Sequence, residues 1–261
     1  MKKLLVMAVL VLSLAVLFTS CGREDDRETI ILGMASGFPP FNILADEGEG
    51  VFGRYSGVSV SLVAAIAEEL NLNVVVRDQE FGGLLPSLIA GEIDVIAAGM
   101  TIRPDRAEQV NFSVPYFGAR QTVVVLADND VIHTVADLDG MRIGVQLATT
   151  GEIRMTDENV ELDLDVVSFT IPATGILELL AGSIDAFVID SPVAAGFLAL
   201  HPEDLRIFTD TDFFGHEQFG MAFNKENVDL LNRFNSVLER LIAEGFVDYL
   251  YAHYRAMLGL D

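Results

Sequence analysis

The chain has 261 residues, of which 51% are hydrophobic, and its 39 acidic and 16 basic side chains give a net charge of −23. This length and apolar content allow one or two domains with a sizeable core. So acidic a chain repels nucleic acid and anionic lipid, which excludes both as partners. Cys21 is the only cysteine, so no internal disulfide can form, and the four histidines lack metal-ligand spacing. We therefore expect no metal and no other cofactor.

The first 20 residues have the features of a secretory signal peptide. Two lysines precede an apolar run over residues 4–18, which is short for a transmembrane helix. Cys21 follows small residues, as in a bacterial lipobox, so we expect cleavage before Cys21 and its lipidation. Plain signal cleavage that leaves a free thiol is the alternative, because Phe18 stands where leucine is usual. Residues 21–28 are then a lipidated, flexible tether.

Strands and helices alternate from Thr29 onwards. The strand TIILGMA is followed by the helical segment SLVAAIAEEL, the strand NVVV, the helical segment LLPSLIA and the strand DVIAA. This βαβαβ order predicts a parallel sheet with helices on both faces.

Residues 91–116, GEIDVIAAGMTIRPDRAEQVNFSVPY, set a buried strand beside a threonine and an arginine. Pro104 predicts a short helix over residues 104–110, with Arg106 in its first turn. A cation there opposes the helix dipole, so a negative group should offset it. Either acidic neighbours on the same helix do so, or a ligand carboxylate held by the guanidinium and the Thr101 hydroxyl.

Thr149, Thr150 and Gly151 begin another predicted helix, whose exposed N–H groups attract an anion. Thr149 and Glu152 also match an ordinary capping box. Both interpretations can hold together, so the ligand carboxylate could bridge this turn and Arg106.

Residues 84–100 (LLPSLIAGEIDVIAAGM) are echoed by residues 176–192 (ILELLAGSIDAFVIDSP). The two copies are too far apart for a solenoid. They indicate two similar lobes whose strand-end loops face each other across a cleft. Asp94 and Asp185 begin their strands, so we expect structural roles for them. Asp190 ends a strand; it either caps the next helix or, if Ser191 is the cap, is free to point into the cleft.

These segments resemble the family 3 solute-binding proteins, the amino-acid receptors of ABC importers. Further matching segments are GFPPF, FGGLLPSL, DLDGMRIGVQ, TTGE, AGSIDAFVIDSP and QFGMAFNKEN. The resemblance implies a two-lobed α/β fold of the periplasmic-binding-protein type, each lobe a mostly parallel sheet flanked by helices.

The resemblance also implies how the chain is divided. Lobe I would comprise residues 29–117 and 215–261, and lobe II residues 118–214. A double-crossing hinge between them would permit closure around a ligand. The helical apolar spacing of residues 227–255 would then pack on lobe I.

The resemblance implies a site for a free L-amino acid. The matching positions in this chain are Phe38, Phe81, Gly99, Met100, Thr101, Arg106, Thr150 and Asp190. The ligand carboxylate would be held by Arg106, Thr101 and the Thr150 turn, and its ammonium by Asp190 and the Gly99 carbonyl.

Phe38 and Phe81, both expected on loops, would cover the ligand side chain. Ala35 and Ala98 offer no charge to a basic side chain, which favours a neutral or small polar amino acid, with Gln146 as the candidate amide.

The expected function is capture of the amino acid and its delivery to an ABC permease by a monomeric lipoprotein on the periplasmic or cell-surface side of the inner membrane. The protein would not be an enzyme. One alternative is an enzyme on the same scaffold, similar to the cyclohexadienyl dehydratases, which would require a general acid in the cleft. The other is a ligand-sensing module that signals through a separate partner.

Overall fold

A computed structural model of the protein describes residues 26–157 and 161–260. The expected signal peptide and the expected lipidation site, Cys21, lie outside the described residues. Within the described part, no helix combines the length and the apolar character needed to cross a membrane.

The elements of secondary structure alternate along most of the chain. In chain order the strands are β1 (Thr29–Met34), β2 (Ile43–Leu44), β3 (Tyr55–Ser56), β4 (Asn73–Asp78), β5 (Val95–Ile96), β6 (Val110–Phe112), β7 (Phe117–Ala119), β8 (Gln121–Leu126), β9 (Arg142–Gln146), β10 (Asp165–Phe169), β11 (Ala186–Asp190), β12 (Leu205–Phe208), β13 (Glu217–Phe219) and β14 (Ala222–Asn224). The helices are α1 (Val58–Glu69), α2 (Phe81–Ile89), α3 (Pro104–Ala107), α4 (Thr150–Met155), α5 (Pro172–Leu180), α6 (Ser191–Leu200), α7 (Val228–Ala243) and α8 (Phe246–Met257), with a 3₁₀ turn at Val135–Leu138.

Lobe I is built on a five-stranded sheet in the order β4-β1-β5-β14-β6. β1 pairs in parallel with β4 and β5, whereas β14 runs antiparallel to β5 and β6. The βαβαβ alternation predicted from Thr29 onwards is therefore confirmed. β5 consists of Val95 and Ile96 alone, so it is shorter than the predicted strand DVIAA.

Lobe II is built on a second five-stranded sheet, in the order β10-β9-β11-β8-β12. β9 pairs in parallel with β10 and β11, and β8 runs antiparallel to β11 and β12. Two mostly parallel sheets with flanking helices confirm the expected two-lobed α/β fold. The residue boundaries given above for the two lobes stay a prediction.

The internal repeat produces matching substructures in the two lobes. α2 is followed by Gly91 and α5 by Gly182, and both glycines adopt the left-handed conformation that ends a helix (φ 73° and 72°). The carboxylate of Asp94 then accepts a hydrogen bond from the Ile31 N–H at 2.7 Å. That of Asp185 accepts one from the Arg142 N–H at 2.8 Å. Both aspartates thus fix a neighbouring strand, which confirms their expected structural roles.

Two segments cross between the lobes and pair with each other. β7 and β13 form an antiparallel two-stranded ribbon in which Phe117 lies opposite Phe219 and Ala119 opposite Glu217. The Phe41 ring packs edge-on against Phe117 (4.9 Å between centroids) and Phe219 (5.3 Å). The crossing ribbon is thereby anchored to lobe I.

Two helices differ from their predicted extents. α3 ends at Ala107 rather than near Val110, because Val110 is buried and begins β6, where it lies opposite Asn224 of β14. The helical C-terminal run is divided into α7 and α8 by Gly245, whose φ of 75° lies in the left-handed region that interrupts a helix.

Candidate ligand-binding site

A small cavity lies where the two lobes meet. Its lining residues are Phe38, Phe81, Gly99, Thr101, Arg106, Gln146, Thr149, Thr150 and Asp190. The structure therefore brings together every predicted site residue except Met100. The Met100 side chain is buried in an apolar cluster of lobe I, and its carbonyl accepts a hydrogen bond from the Gly220 N–H.

Arg106 is buried, with 5% of its surface exposed. Its Nη1 donates to the Thr101 carbonyl at 2.9 Å, and its Nη2 donates to the Ala148 carbonyl of lobe II at 3.0 Å. Burial, with a smaller contribution from the like charge of Arg103, lowers the pKa of Arg106 to about 10. The guanidinium is therefore still protonated at neutral pH. Asp105, the nearest acidic neighbour on α3, pairs with Arg103 instead (Nε to Oδ1, 2.9 Å).

Asp190, 4% exposed, ends β11 and lies at the N-cap position of α6. Its side chain makes no capping hydrogen bond, so the capping interpretation does not apply. The carboxylate instead accepts from the Gln121 amide at 3.0 Å. Burial and the nearby charge of Glu217 raise the pKa of Asp190 well above 3.8, and Arg106 opposes that rise only in part. The site thus holds one buried cation and one buried carboxyl group.

The turn before α4 differs in detail from the predicted capping box. Thr149 is the N-cap, as predicted, and its hydroxyl oxygen accepts from the Glu152 N–H. The Glu152 carboxylate, however, accepts from the N–H of Ala148, one residue earlier than a capping box requires, at 2.6 Å. Ala148 has φ of +63°, a left-handed conformation that is unusual for a residue with a side chain. This conformation directs the Ala148 carbonyl towards Arg106.

The two aromatic side chains at the cavity are held differently. Phe38 lies on a loop, as predicted, and its ring packs against Gly99, where an added Cβ would come within 2.5 Å of the ring. Gly99 also has φ of +61°, so both space and conformation require glycine there. Phe81 was expected on a loop, but it is the first residue of α2.

Two polar residues that were not predicted as site residues, Glu217 and Gln121, also reach the site. Glu217 begins β13 and Gln121 begins β8, both close to the crossing ribbon. The Oε2 atom of Glu217 accepts hydrogen bonds from the Thr101 hydroxyl (3.1 Å), the Thr150 hydroxyl (3.0 Å) and the Gln121 amide (3.2 Å). In sequence, the only signal is a polar residue at the start of each strand.

An outer cleft adjoins the cavity, because Phe81 and Gln146 line both. It is acidic, since Asp78 and Glu80 lie on its wall. Gln146 is 4% exposed, and within the described part of the chain its amide oxygen has no hydrogen-bond partner. Among the same described residues, no group of three or more His, Cys, Asp or Glu side chains could hold a metal ion.

Two α/β lobes, a crossing ribbon and a charged cavity at the lobe junction define a hinged solute-binding protein. The chain belongs to the bacterial extracellular solute-binding proteins, family 3, whose model matches residues 30–257. This membership implies a working location outside the cytoplasm.

The relatives are amino-acid-binding proteins. A probable histidine-binding protein of Campylobacter jejuni is 32% identical over 87% of this chain and 84% of its own length. ABC transporter arginine-binding protein 1 of Escherichia coli is 30% identical over 84% of this chain and 87% of its own. An ancestral arginine-binding protein solved with arginine superposes with a TM-score of 0.79 and is 35% identical, covering 87% of this chain and 98% of its own.

Proposed function

We propose that this protein is a receptor that captures a free L-amino acid and delivers it to an ABC permease. The observation that carries the proposal is that a buried guanidinium, Arg106, and a buried carboxyl group, Asp190, line the same cavity between the two lobes. Burying a zwitterion is costly unless each of its charges has a partner. A cation for the ligand carboxylate and an acid for its ammonium meet that condition. The histidine- and arginine-binding relatives support the same ligand class.

Each end of the ligand has its own partners in the proposed complex. Arg106 holds the carboxylate, because each Nη atom has a second proton besides the one already donated. Backbone N–H groups of Thr101 and of the Thr150 turn complete this end. Asp190 and the Gly99 carbonyl accept hydrogen bonds from the ammonium. The rings of Phe38 and Phe81 cover the side chain.

The ligand side chain extends past Phe81 and Gln146 into the outer cleft, and a long cationic side chain suits that cleft best. Asp78 and Glu80 supply negative charge there, and the unpartnered amide oxygen of Gln146 accepts a hydrogen bond. This proposal departs from the neutral or small polar ligand that the sequence favoured. The relatives named for arginine support it.

Lobe closure and membrane attachment complete the proposed transport role. Bending at the crossing ribbon closes the lobes around the ligand, and the closed face is presented to the permease. Lipidation of Cys21 keeps the monomeric receptor at the outer surface of the inner membrane, with residues 21–28 as a tether.

Isothermal calorimetry with a panel of free amino acids tests the receptor function. We expect binding, strongest for arginine or lysine. Arg106→Ala should weaken it by about 2 to 5 kcal/mol, because a buried carboxylate is left without its cation. Arg103→Ala is the matched control, since this arginine precedes the same helix and pairs with Asp105. Absence of heat with every amino acid would refute the proposal, and equal affinities of the two variants would refute the role of Arg106.

An enzyme similar to the cyclohexadienyl dehydratases is the second candidate. The raised pKa of Asp190 favours it, because a protonated carboxyl group in a cleft can act as a general acid. We expect no phenylalanine release from arogenate, and chromatographic detection of such release would establish the enzyme. A sensing role would rest on the same ligand capture and would need a separate partner.

A further inference from the structure

Glu217 connects both lobes through one atom. Its Oε2 accepts from Thr101, which follows β5 in lobe I, and from Thr150, the first residue of α4 in lobe II. A third hydrogen bond comes from Gln121 at the start of β8. All three donor residues are buried. A carboxylate oxygen that accepts hydrogen bonds from hydroxyl groups of both lobes is a charge-assisted connection between them.

The arrangement depends on a closed cleft. Thr101 and Thr150 belong to different lobes, so one carboxylate oxygen can reach both hydroxyls only while the lobes are together. Opening the hinge moves one of the two threonines away from Glu217 and breaks at least one of these hydrogen bonds. The connection therefore favours the closed state over the open one.

Glu217 also sets which way the threonine hydroxyls point. A hydroxyl has one proton to donate, and both protons here are directed at Glu217. The Gln121 amide nitrogen lies within hydrogen-bond distance of Thr150 (2.9 Å), Asp190 (3.0 Å) and Glu217 (3.2 Å), and its two protons are shared among these three acceptors. In this state the two hydroxyls can only accept hydrogen bonds from a ligand. The ligand carboxylate is then left to Arg106 and backbone N–H groups, while the ammonium gains acceptors beside Asp190.

We propose that Glu217 is a positioning residue that holds the lobes closed on the bound ligand and orients the hydroxyls of Thr101 and Thr150. The proposal rests on the proposed amino-acid-binding function. It predicts an effect mainly on release, because the Glu217 contacts stabilise the closed state and at least one of them must break before a bound ligand can leave.

Stopped-flow binding and small-angle scattering of the full chain test this role, with the amino acid that wild type binds most tightly as the probe. Glu217→Gln keeps the shape but removes the charge, and we expect koff to rise about tenfold with kon changed by less than about twofold. With saturating ligand, its radius of gyration should exceed that of wild type. Glu226→Gln makes the same charge change at an exposed position and should leave both rates unaltered.

A double-mutant cycle then identifies the partner. Thr150→Val should raise koff much less in the Glu217→Gln background than in wild type, because the shared hydrogen bond is already lost. Glu217→Asp, whose carboxylate is one methylene short, serves if the Gln variant does not fold, and it should also release faster. A wild-type koff in the folded variant, or additive effects in the cycle, would overturn the proposal. Failure of wild type to bind any amino acid would instead overturn the receptor function.

Discussion

Burial disfavours the ionised forms of both Arg106 and Asp190. Burial lowers the pKa of Arg106, and burial together with Glu217 raises that of Asp190. Both shifts act against the ionised form. A zwitterionic ligand supplies the missing opposite charge at each end, so binding favours ionisation of both side chains. These two opposed shifts are the electrostatic reason for proposing a zwitterionic ligand rather than a simple anion or cation.

The raised pKa of Asp190 predicts that binding depends on pH. The ammonium of the ligand requires an ionised carboxylate, so binding releases a proton wherever Asp190 is protonated in the free protein. We expect affinity to fall as the pH drops through the raised pKa towards the ordinary value of 3.8. In the ligand-free protein, the free energy of unfolding should decrease as the pH rises through the same window, because the native state binds that proton more tightly than the unfolded chain does.

Calorimetry in two buffers of different ionisation enthalpy measures the released proton directly. Asp190→Asn should bind weakly and release none. A wild-type affinity and heat that are independent of pH and buffer over the range above pH 3.8 in which the protein stays folded would contradict this prediction.

Most of the site positions were predicted from the resemblance to the family, while local patterns alone indicated Thr101, Arg106, the Thr149–Gly151 turn and Asp190. Met100 was predicted as a site residue, but its side chain does not line the cavity. Gly99 and Thr101 line the cavity, whereas the side chain between them packs in the apolar core of lobe I. Glu217 and Gln121 were missed because their contacts depend on the two lobes coming together, which no local pattern encodes.

At the scale of elements, the turn that enters α4 carries local strain. Ala148 has a left-handed backbone conformation that places its Cβ unfavourably, and only glycine adopts it freely. The turn nevertheless directs its carbonyl at Arg106 and its N–H at Glu152. The strained conformation of Ala148 therefore lowers stability at the point where this lobe II turn contacts Arg106 of lobe I.

Ala148→Gly should raise the free energy of unfolding by about 0.5 to 1 kcal/mol, because it removes the clash of the Cβ. Urea unfolding followed by circular dichroism measures the change. Ala252→Gly, at an exposed position inside α8, is the matched control and should lower stability by about 1 kcal/mol. If both variants lose stability alike, Ala148 is not strained.

Local periodicity predicted most helices and strands, and the element ends that differ from the prediction have both distant and local causes. α3 ends early because Val110 pairs with β14, a strand that lies more than 100 residues further along the chain. α2 begins at Phe81 although Gly82 and Gly83 follow, two residues that usually weaken a helix. Gly245 divides the C-terminal run, and glycine there could have been read as a break.

The charge of the whole molecule bears on its stability. A net charge of −23 means that acidic groups repel one another over much of the surface. Ion pairs such as Arg240 with Glu244 offset this only slightly, because exposed pairs contribute about 0 to 1 kcal/mol each.

Salt should therefore stabilise the protein. Between about 0.01 and 0.15 M NaCl the Debye length falls from roughly 30 to 8 Å, so repulsion between separated carboxylates is largely screened. We expect the melting temperature to rise mostly within this range, as measured by differential scanning calorimetry. KCl at equal ionic strength should act alike if screening is the cause. A melting temperature that is flat or falls would show that the lost ion pairs outweigh the relieved repulsion.

The two-lobed plan was predictable because the sequence contains an internal repeat, residues 84–100 and residues 176–192. The repeat also indicated that the strand-end loops face each other across a cleft, but the contacts that fix the lobes, in the ribbon of β7 and β13 and at Glu217, were not predicted.

The position of β14 has a consequence for how the polypeptide matures. This strand comes late in the chain, yet it lies between β5 and β6, so the lobe I sheet lacks an interior member until β14 has emerged. Lobe II, whose strands are consecutive in the chain, can be completed earlier. A chain truncated before β14 would leave β6 without its neighbour and expose β5, so late stop codons should yield products that proteases remove.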